Sequence, residues 1–376
     1  MSLQHLLNFC YTFSFAIFLI IFSSSFVCEG EIFQGIKCPI ESIYQVGDSI
    51  SDTGNLVLAI PQVPASRKPY GITFPGHPSG RWSDGRLIID YIAASLGLPP
   101  LNPYQAKNAS FLNGVNFAVA GSTVLNPKFY IAQGTSVPPL PPLLVQLENF
   151  KKYLKSICLT PTECRVKLRR SLVFVGEFGY NDIGYSFQQG RSIKKIQDFL
   201  PLVNRVILNA TREVVQLGAQ QVIVPGIFPL GCFPFALSSV DRDHANIFDK
   251  IRDELGCLKN LNNIIASRNN DLQRELSILR LEYPNVNLLY SNLYDPFLSL
   301  LRNAPALGFN IKTLFSACCG LEGNFVIVGP IFCGNGDVPL CPNPNNHIHW
   351  DGFHLTQASY HYIANYVIRD LKLKCI

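Results

Sequence analysis

Short apolar runs of β type alternate along the chain with longer stretches in which apolar residues recur every three or four positions. Five runs read as strands: residues 43–46, 115–119, 172–175, 222–224 and 286–290. Each leads into turn chemistry, namely Gly47-Asp48-Ser49, Ala120-Gly121, Gly179-Tyr180-Asn181-Asp182, Pro225-Gly226 and Ser291-Asn292. Between them, Leu143, Leu147, Phe150, Leu154 and Ile157 mark one face of a helix. Residues 196–217, closed by Gly218, read as a second helix. Residues 84–96, stopped by Gly97, and 356–371 read as two more, and 243–281 holds one long helix or two shorter ones. Strands separated by helices predict an α/β fold with a mostly parallel sheet and helices on both faces. Sites in such sheets form at the carboxyl ends of the strands. Ser49, Gly121 and Asn181 each follow a different predicted strand, so one sheet edge brings them together. The Pro-rich run 138–142 and the Gly/Pro/Asn-rich run 334–346 read as surface loops, leaving residues 31–376 as one domain.

Composition narrows the class. Of 376 residues, 48% are hydrophobic and 15% charged, enough for a sizeable core. The net charge of +5 comes with no dense basic block; Lys151-Lys152 and Arg169-Arg170 are short solvated pairs, and a nucleic-acid partner is not expected. Residues 1–30 read as a secretory signal peptide: the apolar run 13–22 is followed by Ser23-Ser24-Ser25, although no Lys or Arg precedes it. That run is short for a transmembrane helix. Cleavage between Cys28 and Gly30 is expected, with an uncleaved anchor as the alternative, and no stable membrane insertion follows once the leader is gone. Without Cys10 and Cys28, the cysteines left are Cys38, Cys158, Cys164, Cys232, Cys257, Cys318, Cys319, Cys333, Cys341 and Cys375, an even set with no CxxC pair. In an oxidising compartment such a set forms disulfides. Cys158 and Cys164 flank a Thr-Pro-Thr turn and are expected to pair; Cys232 with Cys257 is a second candidate. The sequons at Asn108 and Asn209 fit the same route, towards the apoplast or the vacuole.

Two short motifs at opposite ends carry the chemistry. Gly47-Asp48-Ser49 supplies a serine just past a strand, and Asp351-Gly352-Phe353-His354 supplies a carboxylate and an imidazole three residues apart. A serine hydroxyl becomes a nucleophile when a neutral imidazole takes its proton and a carboxylate fixes the imidazole's tautomer. The order Ser, Asp, His matches neither the chymotrypsin nor the subtilisin arrangement, and no G-x-S-x-G elbow occurs. Gly121 and Asn181 are candidates for an oxyanion hole together with the Ser49 N–H. Taken singly, each residue has a plainer use: a turn serine, a tight-turn glycine, an Asx-turn. His347, His349, Asp351 and His354 also form a metal-like cluster, though nothing else in the chain calls for a metal or cofactor. Glu177, just before the Asn181 block, reads as a cap or salt-bridge carboxylate; facing the pocket it would attract an amine, and buried near the oxyanion it would oppose catalysis.

Together these blocks resemble the plant GDSL esterase/lipases of the SGNH hydrolase superfamily. The matching stretches are Gly47-Asp48-Ser49, Asn116-Phe117-Ala118-Val119-Ala120-Gly121, Gly179-Tyr180-Asn181-Asp182 and Asp351-Gly352-Phe353-His354, in that order, with Gly226-Ile227-Phe228-Pro229-Leu230-Gly231-Cys232 typical of the plant branch. The resemblance covers the whole mature chain. It implies a three-layer α/β/α sandwich of flavodoxin-like type, a Ser49–His354–Asp351 triad and an oxyanion hole of Ser49, Gly121 and Asn181. Within the family the chain is most similar to esterases of plant specialised metabolism, of the acetylajmalan esterase type. This implies a small-molecule substrate, an acetyl or other small acyl ester of an alkaloid. The alternatives are an acyltransferase that uses the same triad with an alcohol acceptor, and a non-enzymatic secreted binding protein. Residues 125–140 and 186–195 match least well and are the expected seat of substrate choice; oligomeric state is not encoded in any motif.

Overall fold

The computed structural model describes residues 40–241, 250–320, 333–334 and 338–371. The leader, Cys38 and Cys375 lie outside these residues. Five strands form one sheet: β1 (Ser42–Val46), β2 (Gly114–Asn116), β3 (Ser171–Val175), β4 (Gln221–Pro225) and β5 (Asn287–Ser291), in the order β2-β1-β3-β4-β5. Every neighbouring pair is parallel. β1, β3 and β4 are buried along their whole length, which is why they read as apolar runs and not as alternating ones.

The described residues hold eleven helices: α1 (Asn55–Ala59), α2 (Ile88–Ser95), α3 (Pro127–Ala132), α4 (Leu143–Ile157), α5 (Pro161–Arg169), α6 (Tyr180–Gln188), α7 (Ile193–Leu217), α8 (Pro234–Asp241), α9 (Lys259–Glu282), α10 (Tyr294–Arg302) and α11 (Gln357–Asp370). Side chains alternate across a strand, and β1 shows both flanks. Tyr44 packs on Phe150 and Tyr153 of α4, whereas Gln45 faces Ile89 and Ile92 of α2. On the first flank α4, α5, α7 and α9 pack together; on the second lie α2, α10 and α11. The result is a three-layer α/β/α arrangement.

Three boundaries differ from the sequence pattern, each for a local reason. β2 stops at Asn116 because the ladder loses its reciprocal half there: Phe117 and Val119 still donate to Gln45 O and Gly47 O, but Gly47 N–H is taken by the Gln146 side chain. α2 starts at Ile88 because Asp90, in its first turn, reaches back to accept the Leu87 amide at 2.9 Å and so caps the helix there, while Asp84, before the helix, takes the Gln357 amide at 2.6 Å. Of the expected helical region 243–281, residues 243–249 lie outside the described residues; the rest becomes α9 from Lys259 onward, since Cys257 is tied to Cys232 and the Asp253 carboxylate holds a turn through the Leu255 and Cys257 amides.

The chain passes from β1 outward to β2 and then back across to β3. The strand order therefore reverses between β1 and β3, and the crevice beyond that point is where open α/β sheets place ligands. The loops after β1 and β2 carry Ser49 and Gly121, and the first turn of α6, just past β3, carries Asn181.

Candidate active site

The Ser49 turn is held by its neighbours. The Gln146 amide of α4 clamps Gly47 on both sides, accepting from its N–H at 2.9 Å and donating to its carbonyl at 2.9 Å. A Cβ on Gly47 would fall 2.3 Å from Ser51 Oγ, so only glycine fits there. Asp52 receives the amides of Gly54, Asn55 and Leu56, capping α1, and also that of Ala120, which ties the Ser49 turn to the Gly121 turn.

Two amides stand out. In the run Phe117–Ser122, the amides of Phe117, Ala118, Val119, Ala120 and Ser122 all donate to protein acceptors. Gly121 N–H has none among the described residues. In the Ser49 turn, the amides of Gly47, Ile50, Ser51 and Asp52 are engaged and that of Asp48 faces Glu177, while Ser49 N–H has no acceptor among the described residues. Gly121 sits at φ +79°, the left-handed region that favours glycine. Asn181 lies in the first turn of α6, with Nδ2 3.1 Å from Asp48 Oδ2 and 3.0 Å from Ser122 O. Both of its amide protons thus already have protein acceptors, a constraint the motif alone does not reveal.

Opposite Ser49 stands the loop before α11. Asp351 and His354 meet through His354 Nδ1, 2.8 Å from Asp351 Oδ2. The same carboxylate accepts the amides of Phe353 at 2.7 Å and His354 at 2.8 Å, and the Tyr70 hydroxyl at 2.7 Å from 281 positions away. Burial pushes the Asp351 carboxyl up, but the His354 imidazole and these donors outweigh it and hold it below the usual range. Trp82 lies against the His354 ring with centroids 5.2 Å apart. Ser49 Oγ and His354 are not hydrogen-bonded to each other, but both line one cavity.

That cavity measures about 340 Å³. Its wall carries Ser49, Gly121, Asn181 and His354 beside Trp82, Tyr180, Tyr185 and Phe353, with Leu56, Ile60, Val63, Pro138 and Leu140 supplying aliphatic surface. Among the described residues no carboxylate, lysine or arginine lines it. Of the segments expected to set substrate choice, Pro138, Leu140 and Gln188 reach the wall; Leu56, Ile60 and Val63, just past the Ser49 block, were not foreseen. An apolar run directly after a turn motif was the available signal.

Glu177 is neither a salt-bridge partner among the described residues nor a lining residue. It is buried under the Ser49 turn and accepts from Ser51 Oγ at 2.6 Å. Burial pushes its carboxyl up to about 7. Asp48 is likewise pushed well above the carboxylate range, by burial and then by the Glu177 carboxyl. The four residues of the metal-like cluster do not converge. Among the described residues the one group of three close ligand-type side chains is Cys318, Cys341 and His347, and those cysteines are bonded to each other. His349 turns instead onto Phe233 and Phe297, and burial pushes it down to about 3.

Among the described residues four disulfides are present: Cys158–Cys164, Cys232–Cys257, Cys318–Cys341 and Cys319–Cys333. The last two brace the loop before α11, since the Cys318 and Cys319 amides donate to His349 O and Trp350 O. Asn108 and Asn209 are exposed.

A family model described as GDSL-like Lipase/Acylhydrolase matches residues 43–367. The chain belongs to the GDSL lipase/acylhydrolase family. As a GDSL enzyme it is a carboxylic ester hydrolase that takes a small-molecule ester. It is 46% identical over 365 residues to acetylajmalan esterase 2 of Rauvolfia serpentina, covering 95% of this chain and 98% of that one. To acetylajmalan esterase of the same plant it is 47% identical over 351 residues, covering 92% and 89%. A GDSL esterase/lipase of Arabidopsis thaliana is 39% identical over 347 residues, covering 89% and 85%. Among the described residues of this GDSL hydrolase, no helix is long and apolar enough to cross a membrane.

Proposed function

We propose that this chain is a serine esterase that removes an acetyl or other small acyl group from an alkaloid ester. Ser49 Oγ attacks the ester carbonyl while His354 Nε2 takes its proton and Asp351 steadies the imidazole on Nδ1. The tetrahedral oxyanion is held by Ser49 N–H and Gly121 N–H, with Asn181 Nδ2 as the third arm once it exchanges one of its present acceptors, Asp48 or Ser122 O, for the oxyanion. His354 returns the proton to the departing alcohol; water, deprotonated by the same imidazole, then releases the acid and frees Ser49. The observation that carries this proposal is the pair of unengaged amides, Ser49 and Gly121, on a wall shared with an imidazole already locked to a carboxylate.

The alkaloid part rests on two supports: the names of the Rauvolfia relatives and the aromatic lining of Trp82, Tyr180, Tyr185 and Phe353. A wall without carboxylates favours ring stacking over an ion pair for an amine-bearing alcohol. We further propose a leader at residues 1–30, a single hydrolase domain over 31–376, glycans at Asn108 and Asn209, and a place in the secretory pathway, in keeping with the disulfides.

The test is covalent. A fluorophosphonate should label the wild-type chain on Ser49, and Ser49→Ala should lose both label and turnover while keeping its unfolding midpoint. Near-normal turnover by Ser49→Ala refutes the proposal. Hydrolysis across acetylated alkaloids, phenolic acetates and long-chain esters fixes the substrate class; ester exchange outrunning hydrolysis when an alcohol is added would identify an acyltransferase.

A further inference from the structure

Gly121 presents its amide to the cavity on the most flexible residue type, so the direction of that N–H depends on what holds the peptides on either side. On the near side, Ala120 N–H is fixed by Asp52 Oδ2 at 2.8 Å. On the far side, Ser122 N–H is held by Val119 O at 3.1 Å. The Gly121 carbonyl has a single protein donor among the described residues, the Tyr185 hydroxyl at 3.2 Å. Tyr185 stands four residues after Asn181 on α6, so one helix face carries both. A Cβ built on Gly121 would lie 2.9 Å from Tyr185 Oη and 2.8 Å from Leu140 Cδ1, so the phenol closes directly over the turn.

We propose that Tyr185 is a positioning residue: its hydroxyl locks the Gly121 turn so that Gly121 N–H points at the developing oxyanion. This rests on the serine-esterase proposal above. Burial, and then the Asp48 and Asp182 carboxyls, push the Tyr185 phenol upward, so it keeps its proton and remains a donor. No proton moves at Tyr185 during turnover; it acts through the backbone it holds.

Tyr185→Phe keeps the ring and removes the donor. The expected result is a kcat lowered roughly three- to tenfold, the range of one neutral hydrogen bond, with KM unchanged. Fluorophosphonate labelling of Ser49 should slow by a similar factor, because the phosphonyl oxygen occupies the oxyanion position, and the unfolding midpoint should stay within a degree or so of wild type. An unchanged kcat and labelling rate overturn the proposal. A raised KM with unchanged kcat also overturns it, making Tyr185 a substrate contact. A kcat loss accompanied by a large drop in the unfolding midpoint overturns it as well, making the role structural. If the wild-type chain resists the probe, the serine-esterase proposal fails first and this one falls with it; if wild type labels and Tyr185→Phe labels equally fast, only the Tyr185 assignment fails.

Discussion

Asp351 and Glu177 are both buried carboxylates, and each lies within a few residues of a group proposed for the chemistry. Their charge states differ. Asp351 stands against the His354 imidazole and is held below the usual carboxylate range despite its burial. Glu177 stands against Ser51 Oγ, with Asp48 as its acidic neighbour, and burial pushes it up to about 7. Burial raises both, so the neighbours decide: the imidazole and donors at Asp351 outweigh it, whereas the Ser51 hydroxyl and backbone amides at Glu177 lower its carboxyl too little to offset it. The outcome suits the chemistry on each side. In the proposed mechanism the base His354 needs an anion behind it, whereas extra negative charge under Ser49 would oppose the oxyanion.

The hardest way to break this contrast is Asp351→Asn, which keeps the shape and removes the charge. An amide in that place favours the wrong imidazole tautomer, and kcat should fall by about 10⁴-fold, as for the equivalent change in serine proteases. A loss under tenfold, measured on any activated acetate, would remove Asp351 from the mechanism.

Asn181→Ala comes next. It removes an oxyanion arm and the donor shared by Asp48 and Ser122 O. Deleting one such donor typically costs ~10²–10³-fold in kcat, and the loss should fall on kcat because the charge exists only in the transition state. A raised KM with kcat intact would make Asn181 a ground-state contact.

Tyr70→Phe sharpens the Asp351 side. One of its donors disappears, so the carboxyl should titrate at higher pH and the acid-side loss of stability should begin at higher pH, as denaturant unfolding would show. At its optimum the variant should lose no more than about tenfold in kcat, the scale of a hydrogen bond to a charged group.

The smallest catalytic effect belongs to Glu177→Gln, whose turnover should stay near wild type while its stability profile changes. The carboxyl ionises near 4.5 when unperturbed but near 7 when folded. Between those values the unfolded chain ionises more readily, so wild-type stability is lost as pH rises through that window and levels off above it. Asp351 has the opposite sign, losing stability as pH falls below the ordinary aspartate range. Glu177→Gln should therefore be the more stable protein at pH 8, on the order of 1–3 kcal/mol, with the gap closing near pH 4. Denaturant unfolding at the two pH values decides it, and equal gaps would show that Glu177 ionises freely.

Much of this could be read in the residues, and the remainder has a physical cause. Ser49, Gly121 and Asn181 were legible because each ends a strand, and a parallel sheet delivers strand ends to one edge. Asp351 and His354 were legible because three residues of separation lets one side chain fold back on the other. Tyr70 and Trp82 were not, since only the tertiary fold brings them to a loop hundreds of residues away. The pairing of Cys318 and Cys319 was closed to inspection as well: adjacent cysteines have no spacing to tell them apart. Nor could the charge states of Asp48 and Glu177 be read, because they depend on mutual burial and not on identity.

The two disulfides beside the base loop have a mechanical consequence. β1 to β5 contain no cysteine, so the sheet and the Ser49 turn owe nothing to oxidation, whereas the strip leading into Asp351 is clipped by Cys318–Cys341 and Cys319–Cys333. Each clip closes a loop of a size worth about 3 kcal/mol in chain entropy. Cutting them slackens one jaw of the catalyst and leaves the other gripped. Mild reductant should silence such an enzyme well before it melts, and re-oxidation should revive it without passing through the unfolded chain.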